Sequence, residues 1–156
     1  MALYVGTNSY VTIAEADEYF AEKLYADEWH NTDDTTKEKA LKEACRRINR
    51  LAFKGEKADE AQLLAFPRKM PMFNRIGVIG FVTDTGIPEE VKTAQCEEAL
   101  ALLKYGNSAR TKAQEQNVVR VSFGEVSEEY RASLQLLSKE ALELLKPYLA
   151  GAVSVK

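Results

Sequence analysis

Apolar residues recur at helical spacing in two stretches near the N-terminus. The first stretch follows Thr12 and Glu15, which have the spacing of a capping box, where a hydroxyl and a carboxylate bind free amides at a helix start. It predicts a helix to about Tyr25, with an apolar face of Ile13, Ala16, Phe20 and Leu24. A second capping box, Thr35 to Glu38, predicts a helix that ends near Gly55. Its apolar face consists of Ala40, Leu41, Ala44, Cys45, Ile48 and Leu51.

Three further helices are indicated later in the chain. A short one is predicted over Asp59 to Leu64, before Pro67. Pro88 suits the first position of a helix that runs to about Tyr105. The last helix is predicted to begin near Ser127 and end near Pro147, with an apolar face of Leu134, Leu137, Ala141, Leu144 and Leu145. Trp29 and His30 are assigned to the loop after the first helix.

The β signal is confined to two short segments. Residues 67–87 contain two prolines and three glycines, which predicts a long loop with a brief strand at Val78 to Val82. Residues 118–123 are β-prone. We therefore expect a mainly α fold, a small helical bundle of about four to five helices with a short β segment and a long loop before the fourth helix. Residues 1–150 form a single helical domain in this prediction, and residues 151–156 form a flexible C-terminal tail.

Composition adds few constraints. The 156 residues carry a net charge of −3, without the strong basic excess typical of dedicated nucleic-acid binders. Neither a secretory signal nor a run of about 20 apolar residues is visible, so we expect no membrane partner and a cytoplasmic product. Cys45 and Cys96 are isolated, which favours buried thiols over a disulfide or a metal site.

Charge is unevenly distributed along the chain. Residues 15–34 hold eight acids against one base, and residues 37–57 hold eight bases against three acids. These segments invite pairing within one chain or between neighbouring copies. The candidate contacts between copies are Asp17, Glu18, Arg46, Arg47 and Arg50. The alternative is that both segments are solvated faces with little net interaction.

The sequence offers little catalytic chemistry. His30 is the only histidine, which excludes a His-based metal cluster. The segment Gly77 to Gly80 lacks the lysine and helix start of a phosphate-binding loop. We expect no enzymatic activity, no catalytic residues, no metal and no cofactor.

The predicted long loop contains residues of the types that bind nucleic acid. Arg68, Lys69 and Arg75 form a basic segment beside Phe66 and Phe73, and single-strand binders combine such charge with exposed rings. The competing interpretation places the rings in the core and the arginines on acidic side chains. We weigh it at about two to one over DNA contact because an acidic segment lies nearby in the sequence.

Several segments together resemble a family of phage and prophage head–tail connectors, many members of which are instead described as DnaT-like single-stranded-DNA-binding proteins. The resemblance spans most of the chain and rests on order and spacing. The segments that carry it are 9–19 around Ala14-Glu15-Ala16-Asp17, Phe53-Lys54-Gly55, Gln62 to Arg68, Ile87 to Ala94, Val119 to Tyr130, and Leu144 to Leu149. Phe66 stands where the family usually has tryptophan, Phe123 interrupts the strand motif, and the loop from Lys69 to Gly86 is less familiar.

The resemblance implies a structural protein of the virion head–tail junction. Its partners would be itself, in a ring of about twelve copies, the portal protein, and a stopper or tail-completion protein. DNA would pass through the channel without specific recognition. The alternative function is single-stranded DNA binding, with possible contacts at Arg68, Lys69 and Arg75.

The C-terminal segment is our candidate for docking on the portal or neck. An apolar stripe ends there in Leu145, Pro147, Tyr148 and Leu149, and aromatic surface near a chain end is suited to a partner. The alternative is that Tyr148 caps the core of the monomer.

Overall fold

The structure, a computed structural model, describes residues 1–83, 86–108, 112, 120–123, 126–129 and 136–150. Its helices are α1 Ile13–Ala21, α2 Asp27–His30, α3 Asp34–Asn49, α4 Glu89–Tyr105 and α5 Lys139–Leu145, followed by a 3-10 turn over Lys146–Tyr148. The strands are β1 Glu56–Lys57, β2 Arg68–Asn74, β3 Gly77–Thr83, β4 Arg120–Phe123 and β5 Val126–Glu129.

Three strands form an antiparallel sheet in the order β1-β2-β3, and β4 pairs with β5 in a separate antiparallel hairpin. In the larger sheet, β1 pairs only with the first two residues of β2, Arg68 and Lys69. Among the described residues, the rest of β2 pairs with β3 alone, with a register shift between Met72 and Phe73. The outer part of this β2–β3 hairpin is therefore two-stranded.

The helices pack around α4, which contacts α3 and α5. One core cluster joins α3, α4 and α5 to residues 64–66, and a second joins α1, α2, α3 and α4. Buried Gln95 ties the N-terminal segment to this core. Its amide oxygen accepts from the Tyr10 N–H at 2.8 Å, and its nitrogen donates to Ser9 Oγ at 2.7 Å and to the Leu41 carbonyl at 2.8 Å.

The predicted start of α1 is confirmed. Thr12 Oγ1 accepts from the Glu15 amide at 3.1 Å, and the Glu15 carboxylate accepts from the Thr12 amide at 2.7 Å. The second helix is also present, but Asp33, which binds the Thr36 amide, caps it in place of Thr35. Pro88 is the N-cap of α4 and not its first residue.

The predicted fold class, a mainly α bundle with a short β segment and a long loop, is wrong. The residues assigned to the loop form β2 and β3, with seven residues each, and β1 adds a third strand. The physical reason is that β propensity depends strongly on context: the prolines and glycines of this segment predict a loop, whereas pairing across the Asn74–Gly77 turn holds it as a hairpin. The fold combines helices with antiparallel sheet.

Three local predictions also need correction. Residues 59–64 form a turn and not a helix, because the Asp59 carboxylate accepts from the Ala61 amide and the Gln62 side chain binds nearby backbone groups. Trp29 lies in α2 and is fully buried. The last helix begins after Ser138, since Ser127 belongs to β5. The predicted tail, 151–156, lies outside the described residues.

Candidate nucleic-acid interface

A buried arginine fixes the base of the β2–β3 hairpin. Arg68 Nε donates to the Lys54 carbonyl at 2.9 Å, Nη1 to the Ala65 carbonyl at 3.1 Å, and Nη2 to the Gly55 carbonyl at 2.9 Å. Its burial lowers the pKa of this guanidinium. The rigid fork of arginine suits several fixed carbonyl oxygens at once, so Arg68 orients β2 relative to residues 53–55.

Gly55 allows the close approach that this anchor requires. Its φ is +72°, and a Cβ there would lie 1.9 Å from the Lys69 carbonyl oxygen. Any other residue would meet both backbone strain and a steric clash. The sequence Phe53-Lys54-Gly55 therefore sets where the hairpin leaves the domain.

The hairpin carries its aromatic rings on one face. Phe73 pairs with Val78 and Phe81 pairs with Pro71, so all four share a face because cross-strand partners point the same way. Phe73 is 65% exposed, Phe81 55% and Val78 55%. We call Phe73, Val78 and Phe81 the aromatic face. Its two rings lie on neighbouring strands, with Phe73 two residues along β2 from the partner of Phe81.

Five of the twelve exposed large apolar side chains among the described residues belong to this hairpin. Ile76 in its turn is 94% exposed and Met72 is 41% exposed. A contiguous exposed apolar surface marks a binding site more often than it occurs by chance. Exposed rings on a strand pair are also the arrangement on which unpaired bases stack.

Basic residues border the aromatic face. Residues 50–83 hold six bases and three acids, whereas the whole chain has a net charge of −3. Lys69 lies at the base of the hairpin, 3.8 Å from the Glu56 carboxylate, and exposed Arg75 lies in its turn. The hairpin thus combines exposed rings with local positive charge in a chain that is otherwise acidic.

A family model described as "Putative DnaT-like ssDNA binding protein" matches residues 2–156. The chain belongs to this DnaT-like family. No curated protein and no solved structure matches it. The family description agrees with the alternative function that the sequence suggested, and the connector role finds no support in it.

In this DnaT-like chain, the residues of the predicted basic loop separate into two groups. Arg68 and Phe66 are buried, and Phe66 packs edge-to-face against Phe53 and Tyr148. Lys69, Arg75 and Phe73 lie on the hairpin surface. Phe81 was not among the residues predicted from the sequence to contact DNA. It lies in an apolar, β-prone segment, which is the pattern that could have identified it.

The residues predicted to contact other copies are partly engaged within the chain. Asp17 Oδ1 accepts from Lys37 Nζ at 2.9 Å and from Trp29 Nε1 at 2.7 Å. Arg47 is mostly buried, with Nη1 at 3.8 Å from Glu98, and Arg46 pairs with Glu43 at 3.0 Å. Glu18 and Arg50 are exposed. The contact between copies through these residues stays a prediction.

The C-terminal docking residues lie against the core. Leu145 is fully buried, and Tyr148 and Leu149 pack on the same cluster. The Tyr148 hydroxyl donates to Glu90 at 3.2 Å, and Leu149 forms a β-bridge with Phe53. Pro147 is exposed. This geometry agrees with the alternative in which Tyr148 caps the core, and docking on a partner stays a prediction.

The part of the chain that the structure describes offers few other groups suited to catalysis or metal binding. His30 Nε2 lies 3.2 Å from the Phe20 carbonyl oxygen, and burial raises the pKa of Cys45 and of Cys96 to about 12. Among these residues, no group of three or more acidic, histidine or cysteine side chains could hold a metal ion. None of the described helices has the length and apolar character to cross a bilayer.

Proposed function

We propose that this protein binds single-stranded DNA through the aromatic face of the β2–β3 hairpin. The observation that carries the proposal is the pair of exposed rings, Phe73 and Phe81, on one face of a strand pair with local positive charge. The family description supports the same function. In this proposal, Phe73 and Phe81 stack on bases and Lys69 and Arg75 contact phosphates.

The geometry favours unpaired over duplex DNA. Both faces of an unpaired base are open to a ring, whereas the bases of a duplex are stacked on one another. The chain also lacks the basic excess that phosphate contacts along a duplex require. Binding should therefore depend on the rings first and on the cations second.

Fluorescence anisotropy with a labelled oligothymidylate tests the role of the rings. We expect Phe73→Leu and Phe81→Leu each to weaken binding about 5-fold to 150-fold, because each stacked base contributes about 1–3 kcal/mol. Tryptophan at either position should retain binding. Leu63→Ala, which removes an equally exposed apolar side chain outside the hairpin, is the matched control.

A salt titration tests the role of the cations. Lys69→Gln and Arg75→Gln should each reduce the slope of log K against log salt by about 0.7, the value for one phosphate contact on a single strand. A chain that fails to bind the oligonucleotide at physiological salt contradicts the proposal. Equal binding by the leucine variants would also contradict it, since leucine keeps apolar area but cannot stack.

The head–tail connector expected from the sequence stays a prediction. Neither the fold nor the family description bears on a ring, a portal partner or a place in a virion. Absence of DNA binding, together with recovery of the chain on purified virus particles, would favour that role over ours.

A further inference from the structure

The C-terminal segment pairs with the stretch of chain that leads into β1. An antiparallel bridge joins Leu149 to Phe53. Two backbone hydrogen bonds flank this bridge, from the Lys54 amide to the Tyr148 carbonyl at 2.8 Å and from the Ala150 amide to the Ala52 carbonyl at 2.9 Å. We call residues 148–150 the C-terminal strap. The strap therefore restrains residues 52–54 through their backbone.

The same stretch of chain holds the base of the β2–β3 hairpin. Arg68, the first residue of β2, donates to the carbonyls of Lys54 and Gly55 at 2.9 Å each, and to that of Phe53 at 3.4 Å. The strap uses different groups of this stretch, the Lys54 amide and the Ala52 carbonyl. Both sets of hydrogen bonds can therefore form at once, and residues 52–55 connect the strap to Arg68.

The strap itself is attached to the helical core. Leu145, three residues before it, is fully buried. The Tyr148 ring packs edge-to-face against Phe66, with the ring centroids 5.5 Å apart, and its hydroxyl donates to Glu90 of α4 at 3.2 Å. The strap thus provides a path of direct contacts from α4 to the base of the hairpin.

We propose that the C-terminal strap positions the β2–β3 hairpin for DNA binding, an inference that rests on the proposed function. An isolated two-stranded hairpin is only marginally stable, and among the described residues the outer part of this one has two strands. Its direction must therefore be fixed at its base. Residues 148–150 are positioning residues in this inference, because they act through residues 52–55 and Arg68.

A fixed hairpin binds DNA more tightly than a loose one. Binding to a loose hairpin must also order it, and that loss of conformational entropy lowers the affinity. A hairpin whose base is already restrained presents the aromatic face in one orientation. The strap therefore contributes to affinity without touching DNA, which gives the C-terminal segment a role in the proposed function.

Ala150→Pro tests the strap by a small change, because proline has no N–H to donate to the Ala52 carbonyl. Leu149 has φ −76° and ψ 137°, the extended conformation that the residue before a proline prefers. The substitution therefore removes one hydrogen bond without straining Leu149. Ala150→Ser, which keeps the N–H, is the conservative variant. Circular dichroism checks that both are folded.

Motion of the hairpin turn distinguishes positioning from general stability. A nitroxide label on Ile76→Cys, where the native side chain is 94% exposed, reports this motion without DNA, and buried Cys45 and Cys96 should stay unlabelled. We expect a more mobile label in Ala150→Pro than in wild type or Ala150→Ser. A label on Lys39→Cys, at an exposed position of α3, should not change. Unchanged motion at the turn would overturn the inference, and so would equal loosening at both positions.

If the proline variant does not fold, Tyr148→Phe keeps the ring and removes the hydroxyl that binds Glu90. It should also make the turn label more mobile, and an unchanged label would overturn the inference.

Affinity for oligothymidylate, measured by fluorescence anisotropy, is the second readout. Ala150→Pro should weaken binding about 2-fold to 12-fold, since the loss cannot exceed the free energy of the hydrogen bond that is removed. Ala150→Ser should restore wild-type affinity. A more mobile turn with unchanged affinity would overturn the positioning role and leave the proposed function intact. A wild-type chain that binds no oligothymidylate would overturn both, and the label would still show whether the strap restrains the hairpin.

Discussion

At the scale of single residues, the sequence gives the right residue types but not their roles. Arg68 and Arg75 both lie in a basic segment beside phenylalanines, and nothing in their neighbours along the chain tells them apart. In the structure, Arg68 donates to backbone carbonyls in the interior while Arg75 is exposed in a turn. An arginine serves carbonyls and phosphates with the same five donors, so only tertiary structure separates the two uses.

Replacement of Arg68 by lysine should therefore destabilise the fold. One ammonium group cannot reach the carbonyls of Lys54, Ala65 and Gly55 together, and each lost charged hydrogen bond costs about 1.5–3 kcal/mol. We expect a loss of about 2–3 kcal/mol in the free energy of unfolding, measured by urea denaturation. Arg75→Lys should change it by less than about 0.5 kcal/mol. Equal effects of the two changes would refute the structural role of Arg68.

At the scale of elements, helices were predictable where their signals are local. The capping box of α1 and the apolar faces of α3 and α4 lie within a few turns of chain, and those helices are present. The hairpin was not predictable in the same way, partly because Pro71 argues against a central strand. Pro71 lies beyond the end of β1 and pairs only with Phe81. Among the described residues, β2 has a partner on one side only at that point, which is a position where a sheet tolerates proline.

The helix α1 should show a pH dependence that depends on its capping box. The Thr12 amide, which donates to the Glu15 carboxylate, lowers the pKa of Glu15. A folded-state pKa below the unfolded value stabilises the fold above about pH 4. That stability is lost as pH falls through the folded pKa.

We expect Glu15→Gln to lose less stability than wild type between pH 7 and pH 3, because glutamine does not titrate. Urea denaturation at each pH measures this difference. Glu18→Gln, which removes a carboxylate from the same helix outside the capping box, is the control. Parallel pH profiles for wild type and Glu15→Gln would show that the capping carboxylate is not linked to folding.

At the scale of the whole molecule, the residues that form the core and the residues of the proposed binding surface lie in different parts of the chain. Every buried apolar residue that the structure describes lies outside residues 69–83. Four acids, Glu15, Glu18, Glu22 and Glu89, line a groove of about 320 Å³ together with one base, Lys92, and no hairpin residue lines it. In the proposed function, this acidic groove would repel a DNA strand, and the basic hairpin, which contributes little to the core, would attract it.

Removal of the outer hairpin should accordingly abolish binding and leave the fold intact. Residues 71–81 can be replaced by Asn-Gly, which closes two antiparallel strands in a tight turn, because Met70 and Val82 are paired. We expect the midpoint of thermal unfolding to stay within a few degrees of wild type, since none of the core side chains that the structure describes is lost. Oligothymidylate binding should disappear. An unfolded variant would show that the hairpin is needed for the core. A folded variant that still binds DNA would place the interface on the helices. The basic residues of α3 would then be the first to substitute.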